Sequence, residues 1–353
     1  MPRAPTPSRI STDRDFVRRV FIVVAVGALI AAVWALSDIL LLLFGSVLLA
    51  IALHSIASPL QTHLQIGRPA GLALAGLLIL AVVGATGFYL GPELAAQMRG
   101  LFSTLPTAAN RLAGYLQIGS VADLLKEGTA ASALGGLAAR IIAWSTTAAG
   151  ALASVLLVLF GGIYLAINPN LYRDGLVKLV PPSVQSNVEA TLDDAGQALR
   201  RWLAGQVIAM LLVGVCSAIG LWLAGVPSAF ALGLIAGLAE FVPIIGPIVA
   251  AIPAILIAST QDWQTVLLAI AVLVIIQQVE SNLITPMLAD RMVSIAPAVG
   301  LFAVVAMGVL FGPLGLLLGF PLAIVLDVAV RRLYVRDTLG ERIEILGKPA
   351  KPS

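Results

Sequence analysis

The sequence predicts an all-α polytopic membrane protein with about eight membrane segments, two of them broken by proline and glycine. Three observations carry this. Of 353 residues, 59% are hydrophobic and only 11% charged, against about 45–50% and about 25% in an ordinary soluble domain. Apolar runs recur along the whole chain, and each is near the roughly 20 residues that a spanning helix needs. The alternating ten-residue pattern of a membrane β-barrel does not occur in it.

Residues 1–19, "MPRAPTPSRISTDRDFVRR", read as a polar, arginine-rich tail rather than a cleaved leader, because the apolar run behind them has span length. Residues 20–90 hold three spans, at about 20–36, 39–57 and 70–90, with a turn at Ser37-Asp38 and an end near Pro59. Residues 91–140 form an extracytoplasmic amphipathic region. Leu94, Met98, Leu101 and Leu105 recur there at helical spacing, and Ser120 with Asp123 reads as a helix start. A fourth span, 141–168, stops at Asn168-Pro169.

Residues 169–205 form a second polar stretch, on the cytoplasmic side. Val184, Val188, Leu192, Ala195, Leu199 and Trp202 make an apolar stripe, Ser186 with Glu189 fits a capping box, and Arg200, Arg201 and Trp202 read as an interfacial anchor. The helix either lies on the membrane or on neighbouring spans, or packs on its own loop. Residues 206–330 are expected to form the membrane core that holds the two broken segments. Residues 331–353 are a cytoplasmic tail. Arg3, Arg9, Arg14, Arg18 and Arg19 flank the first span and Arg331, Arg332, Arg336 and Arg342 follow the last. This bias predicts that both termini lie in the cytoplasm.

Two regions of the core have awkward lengths, 228–258 and about 296–330. Each is too long for one span and too short for two with a turn. Proline removes a backbone donor and breaks the preceding turn. Each region is therefore expected to be a re-entrant hairpin, with tips at Pro243, Gly246 and Pro247 and at Gly312 and Pro313. The alternative is a long tilted helix that the prolines merely kink. Paired broken segments are the sequence pointer to a transporter's binding site, because they expose backbone groups away from lipid.

Ionisable residues inside a membrane are costly and face a cavity or a partner. Glu280 is the leading candidate, with Gln277 and Ser281 on its helix face and Asn282 alongside. Glu240, just before the first tip, is a second candidate. Its plainer alternative is a salt bridge with an arginine. A carboxylate among amides and hydroxyls suits a monovalent cation, a proton or a small polar solute. His54 and His63 read as structural or interfacial, Asp38 and Asp262 as interfacial, and Asp327 as the ion-pair partner of Arg331.

The lone Cys216 excludes an intramolecular disulfide. The sequence has no nucleophile elbow, metal-binding histidine pair or phosphate-binding glycine loop. We therefore expect no enzyme activity and no cofactor, and transport that is secondary or channel-like. The net charge of +3 sits beside spans and does not point to nucleic acid. A scaffold without transport activity is the alternative from another class; the paired breaks would be of no use to it.

Three blocks carry a resemblance: "FVPIIGPIVAAIPA" (241–254), "QQVESNLITPMLADRMVSIAPAVGL" (277–301) and "LFGPLGLLLGFPLAIVL" (310–326). In order and spacing they resemble the autoinducer-2 exporter-like family of bacterial transporters. Members often carry an aromatic after the first proline of the first block, where this chain has Ile244. The resemblance implies secondary efflux of a small polar solute such as autoinducer-2, or Na⁺(Li⁺)/H⁺ antiport. It also implies a homo-oligomer, pentamers being known among members.

Overall fold

The computed structural model describes residues 9–81, scattered positions between 84 and 104, 148–284 and 296–336. The expectations at Leu94, Met98, Leu101, Leu105, Ser120 and Asp123 lie outside them. Among the described residues every regular element is helical.

Helix α1 spans Arg9–Ala35 and α2 spans Ser37–Leu64, with only Leu36 between them. Pro59 does not end α2, which continues for another turn and closes on Gln65 in the left-handed region (φ 52°). Helix α3 covers Arg68–Ala81. Helix α4, Ala148–Ile167, packs on α2 through small residues: a Cβ on Gly161 would lie 2.6 Å from Ser46 Oγ. Pro169 then starts α5, Pro169–Lys178, which turns from α4 by 87°.

Helix α6, Gln185–Leu223, has 39 residues, about 58 Å at 1.5 Å per residue. The amphipathic helix of the second polar stretch and the first apolar run of the core are thus one continuous rod. The capping box does not form: Ser186 lies inside the helix and no side chain caps its start. Glu189 is instead paired with Arg173 of α5 at 3.1 Å. Trp202 is not an interfacial anchor either. It is 1% exposed and sits in the largest core cluster with Leu41 and Leu48 of α2. An aromatic beside two arginines reads as a boundary marker only when the chain passes from lipid to water there, and here the neighbouring helices cover it.

Helices α7 (Ala229–Ala239) and α8 (Ile245–Ala258) form the first broken region. Ala229 and Leu232 near its start share a core cluster with Ile257 and Ala258 at its end, and Ala236 shares one with Ala250. Only a chain that doubles back can make both pairings. Helix α9, Trp263–Val279, follows and runs into a π-helical turn, Glu280–Ile284.

Helix α10, Pro297–Ala329, is interrupted at Gly312 (φ 64°, ψ −145°), a conformation that only glycine adopts readily. Its two arms, 297–311 and 313–329, also run antiparallel. A Cβ on Gly300 would lie 2.6 Å from the Phe320 ring, one on Gly319 2.9 Å from Val304 Cα, and one on Gly308 3.3 Å from Leu316. Both broken regions are therefore hairpins and not kinked spans. A second π-helical turn, Val330–Arg336, extends the second arm.

Candidate functional site

The first tip is built by a sequence that cannot stay helical. Pro243 has no N–H. Ile244 takes φ 72°, ψ −52°, and Ile245 N–H donates back to the Pro243 carbonyl at 2.8 Å. This is a γ-turn of the rare, strained hand. Gly246 N–H then donates to the Val242 carbonyl at 2.8 Å and opens α8, with Pro247 in its first turn. Gly246 is obligatory here, since a Cβ would lie 2.0 Å from the Ala239 carbonyl oxygen. The second tip repeats the device. Gly312 supplies the positive φ, Pro313 starts the returning arm, and a Cβ on Gly315 would lie 2.0 Å from the Met307 carbonyl oxygen.

The two hairpins converge on α6. The Trp202 ring meets Phe241 of the first tip edge-on at 5.5 Å and stacks on Phe320 of the second hairpin at 5.8 Å. One turn further along α6, buried Gln206 donates its side-chain amide to the Glu240 main-chain carbonyl. Sequence reading missed Gln206. Its signal was a lone amide in the apolar run of a span, which is costly unless bonded.

Glu240 is 2% exposed. It makes no salt bridge with an arginine among the described residues. Its carboxyl instead faces that of Glu280. The two acids that the sequence offered as separate candidates thus form one site. Its buried end is Glu240, whose Oε2 has no hydrogen-bond partner. Its open end is the polar face of α9. There Gln277 Nε2 donates to Glu280 Oε2 at 2.9 Å, and Asn282 Nδ2 donates to Gln278 Oε1 at 3.4 Å. Gln277, Ser281 and Asn282 are exposed. Glu280 opens the π-helical turn, a wider coil that is frequent at functional positions. Pro243, Pro247, Gly246 and Ile244 frame this site. Gly312 and Pro313 belong to the other hairpin, whose returning arm Trp202 links to this site through Phe320.

Two facing carboxyl groups repel when both are ionised, and a proton or a cation between them relieves the repulsion. The arrangement is therefore chemically suited to exchange a proton for a cation or for a polar group of a solute. His54 takes no part. Its Nδ1 faces the Ala50 carbonyl at 3.2 Å within α2. Asp262 caps α9, and Asp327 pairs with Arg331 at 2.6 Å as the spacing suggested. Asp38 and His63 are exposed. No group of metal-binding side chains is found among the described residues.

The sequence is similar to known transport proteins along most of its length. Residues 21–334 match the family model described as AI-2E family transporter. YueF of Bacillus subtilis (strain 168), named as a conjectured transport protein, is 26% identical over 337 residues, covering 88% of this chain and 89% of its own length. YrrI of the same organism, also named as a conjectured transport protein, is 33% identical over 165 residues, so the chain spans only 47% of that relative, and 47% of this chain is matched. The AI-2 transport protein TqsA of Escherichia coli (strain K12) is 29% identical over 121 residues, 34% of this chain and 35% of TqsA. The match to the family model covers nearly the whole helical body, both hairpins and both acids, and the chain belongs to the AI-2E family of membrane transporters.

Proposed function

We propose that this chain is a secondary transporter that exports a small polar solute, and that the Glu240–Glu280 pair carries the proton or monovalent cation that drives it. The observation that supports the reading is the pair itself: two carboxyl groups from separate elements that face each other at the tip of a helical hairpin. Holding two acids against one another, with Glu240 buried, costs folding energy, and such sites are kept where charge must move. The polar face of Gln277, Ser281 and Asn282 offers amides and a hydroxyl to a solute with hydroxyl groups. TqsA, a relative over a third of the chain, is named for AI-2 transport, which makes autoinducer-2 the first solute to try.

The test uses the purified full chain in proteoliposomes with an imposed pH gradient. Autoinducer-2, Na⁺ and Li⁺ are offered separately while internal pH and solute uptake are followed. Gradient-driven flux of one of them is expected. Glu280→Gln is expected to fold, to reach the membrane and to lose that flux. Full flux with an unchanged pH profile in Glu280→Gln would overturn the reading.

A further inference from the structure

The Glu240 carbonyl lies where α7 has just ended. In a continuing helix it would accept from residue 244. Ile244 is turned to positive φ, Pro243 has no N–H, and among the described residues no backbone N–H reaches this carbonyl. A buried carbonyl left unbonded is costly. Gln206, 4% exposed, supplies the missing donor from α6.

Trp202 and Gln206 lie one turn apart on the same face of α6, and they hold successive residues of the tip. Trp202 packs on the Phe241 ring and Gln206 bonds the Glu240 main chain. A ring contact limits where the tip lies but lets it rotate. A hydrogen bond to the carbonyl fixes its rotation, and with it the direction in which the Glu240 side chain leaves the backbone.

We propose that Gln206 is a positioning residue for the first hairpin: by bonding the Glu240 carbonyl it fixes the Glu240 carboxyl against Glu280. Its consequence for transport rests on the reading of the carboxyl pair given above, but the positioning itself does not. Around the Glu240 carboxyl the titratable group that faces it is Glu280 of the turn after α9. Among the described residues no lysine, arginine or histidine is ion-paired with it.

The experiment needs no transported solute. A hydrophobic carbodiimide adds to protonated carboxyl groups in apolar surroundings. The full chain in detergent is treated with dicyclohexylcarbodiimide over a range of pH, and modification of Glu240 is followed by peptide mass spectrometry. Gln206→Met keeps the side chain's length and removes its donor. It is expected to slow labelling of Glu240 about fivefold, the scale of one lost hydrogen bond, and to shift the pH midpoint of labelling. Gln206→Asn, a shorter donor, is expected to fall between. An unchanged rate and midpoint in Gln206→Met overturns the proposal. If that variant does not fold, a wild-type rate and midpoint in Gln206→Asn does the same. Flux that survives Glu240→Gln would sink the transport reading and leave the labelling result standing, so the two failures are separable.

Discussion

Gly246 and Ala239 touch across the first tip, so closely that a Cβ on Gly246 would lie 2.0 Å from the Ala239 carbonyl oxygen and 2.5 Å from its carbonyl carbon. The obstacle is backbone and cannot swing aside. Gly246→Ala is therefore expected to prise α7 and α8 apart at the tip, at an overpacking cost of about 1–3 kcal/mol, and to separate Glu240 from Glu280. Thermal unfolding in detergent should show the loss. Gly76→Ala in α3 is the control, because nothing lies within 4 Å of that position and alanine is the better helix former. Equal melting temperatures for Gly246→Ala and wild type would refute the close approach.

Asp193 and Asp194, adjacent on α6, hold two different elements. Asp193, exposed, pairs with the partly exposed Arg173 of α5 at 2.5 Å. Asp194 pairs with Arg332 beyond α10, with both side chains buried. Breaking an exposed pair costs about 0–1 kcal/mol. Breaking a buried one leaves a charge in a poor solvent and costs about 3–5 kcal/mol. Asp194→Ala should thus lower the melting temperature much more than Asp193→Ala. The double variant Asp194→Leu/Arg332→Met should recover much of the loss, since it buries no charge. Equal effects from the two aspartates would contradict this account.

The hairpins were legible because two signals agreed: prolines at the centre, and lengths that fit neither one span nor two. The carboxyl pair was only half legible. Glu240 and Glu280 each stood out as acids in apolar runs, but forty residues separate them in the sequence and no local pattern joins them. Their meeting depends on how α9 packs beside the hairpin. Trp202 was misread because its neighbours Arg200 and Arg201 suggest an interface, while its burial comes from two distant aromatics, Phe241 and Phe320. Gln206 gives no periodic signal at all. A single buried amide acquires meaning only from the carbonyl that it serves.

Asp262 precedes α9 and accepts the Thr265 N–H at 2.7 Å. That backbone bond holds its carboxyl below the ordinary aspartate range. A folded-state value below the unfolded one gives stability that is present above the ordinary aspartate range and is lost as pH falls through the lowered value. Asp262→Ala should lower the melting temperature at neutral pH, and the gap to wild type should close as pH falls through that window. Asp262→Asn keeps an acceptor and should remove the pH dependence while retaining part of the cap. A gap for Asp262→Ala that stays constant down to strongly acidic pH would count against the bond.

Ile244 carries the most strained backbone of the first tip, a β-branched residue at φ 72° and ψ −52°. Such a conformation costs of order 1–3 kcal/mol, and glycine would adopt it freely. The side chain offers little in return, since it is exposed and packs in none of the core clusters. Ile244→Gly is therefore expected to stabilise the protein, or at least not to weaken it. At Ile248, an exposed position within α8, the same change should cost about 1 kcal/mol, because there the backbone is helical. The opposite signs at two isoleucines four residues apart are the measurement, read as melting temperatures under one detergent condition. A stabilised Ile244→Gly that transports more slowly would mean that the strained turn serves the transport cycle and not only the fold. Destabilisation of Ile244→Gly as large as that of Ile248→Gly would show that the turn is not strained, and that the tip is held by its side chain.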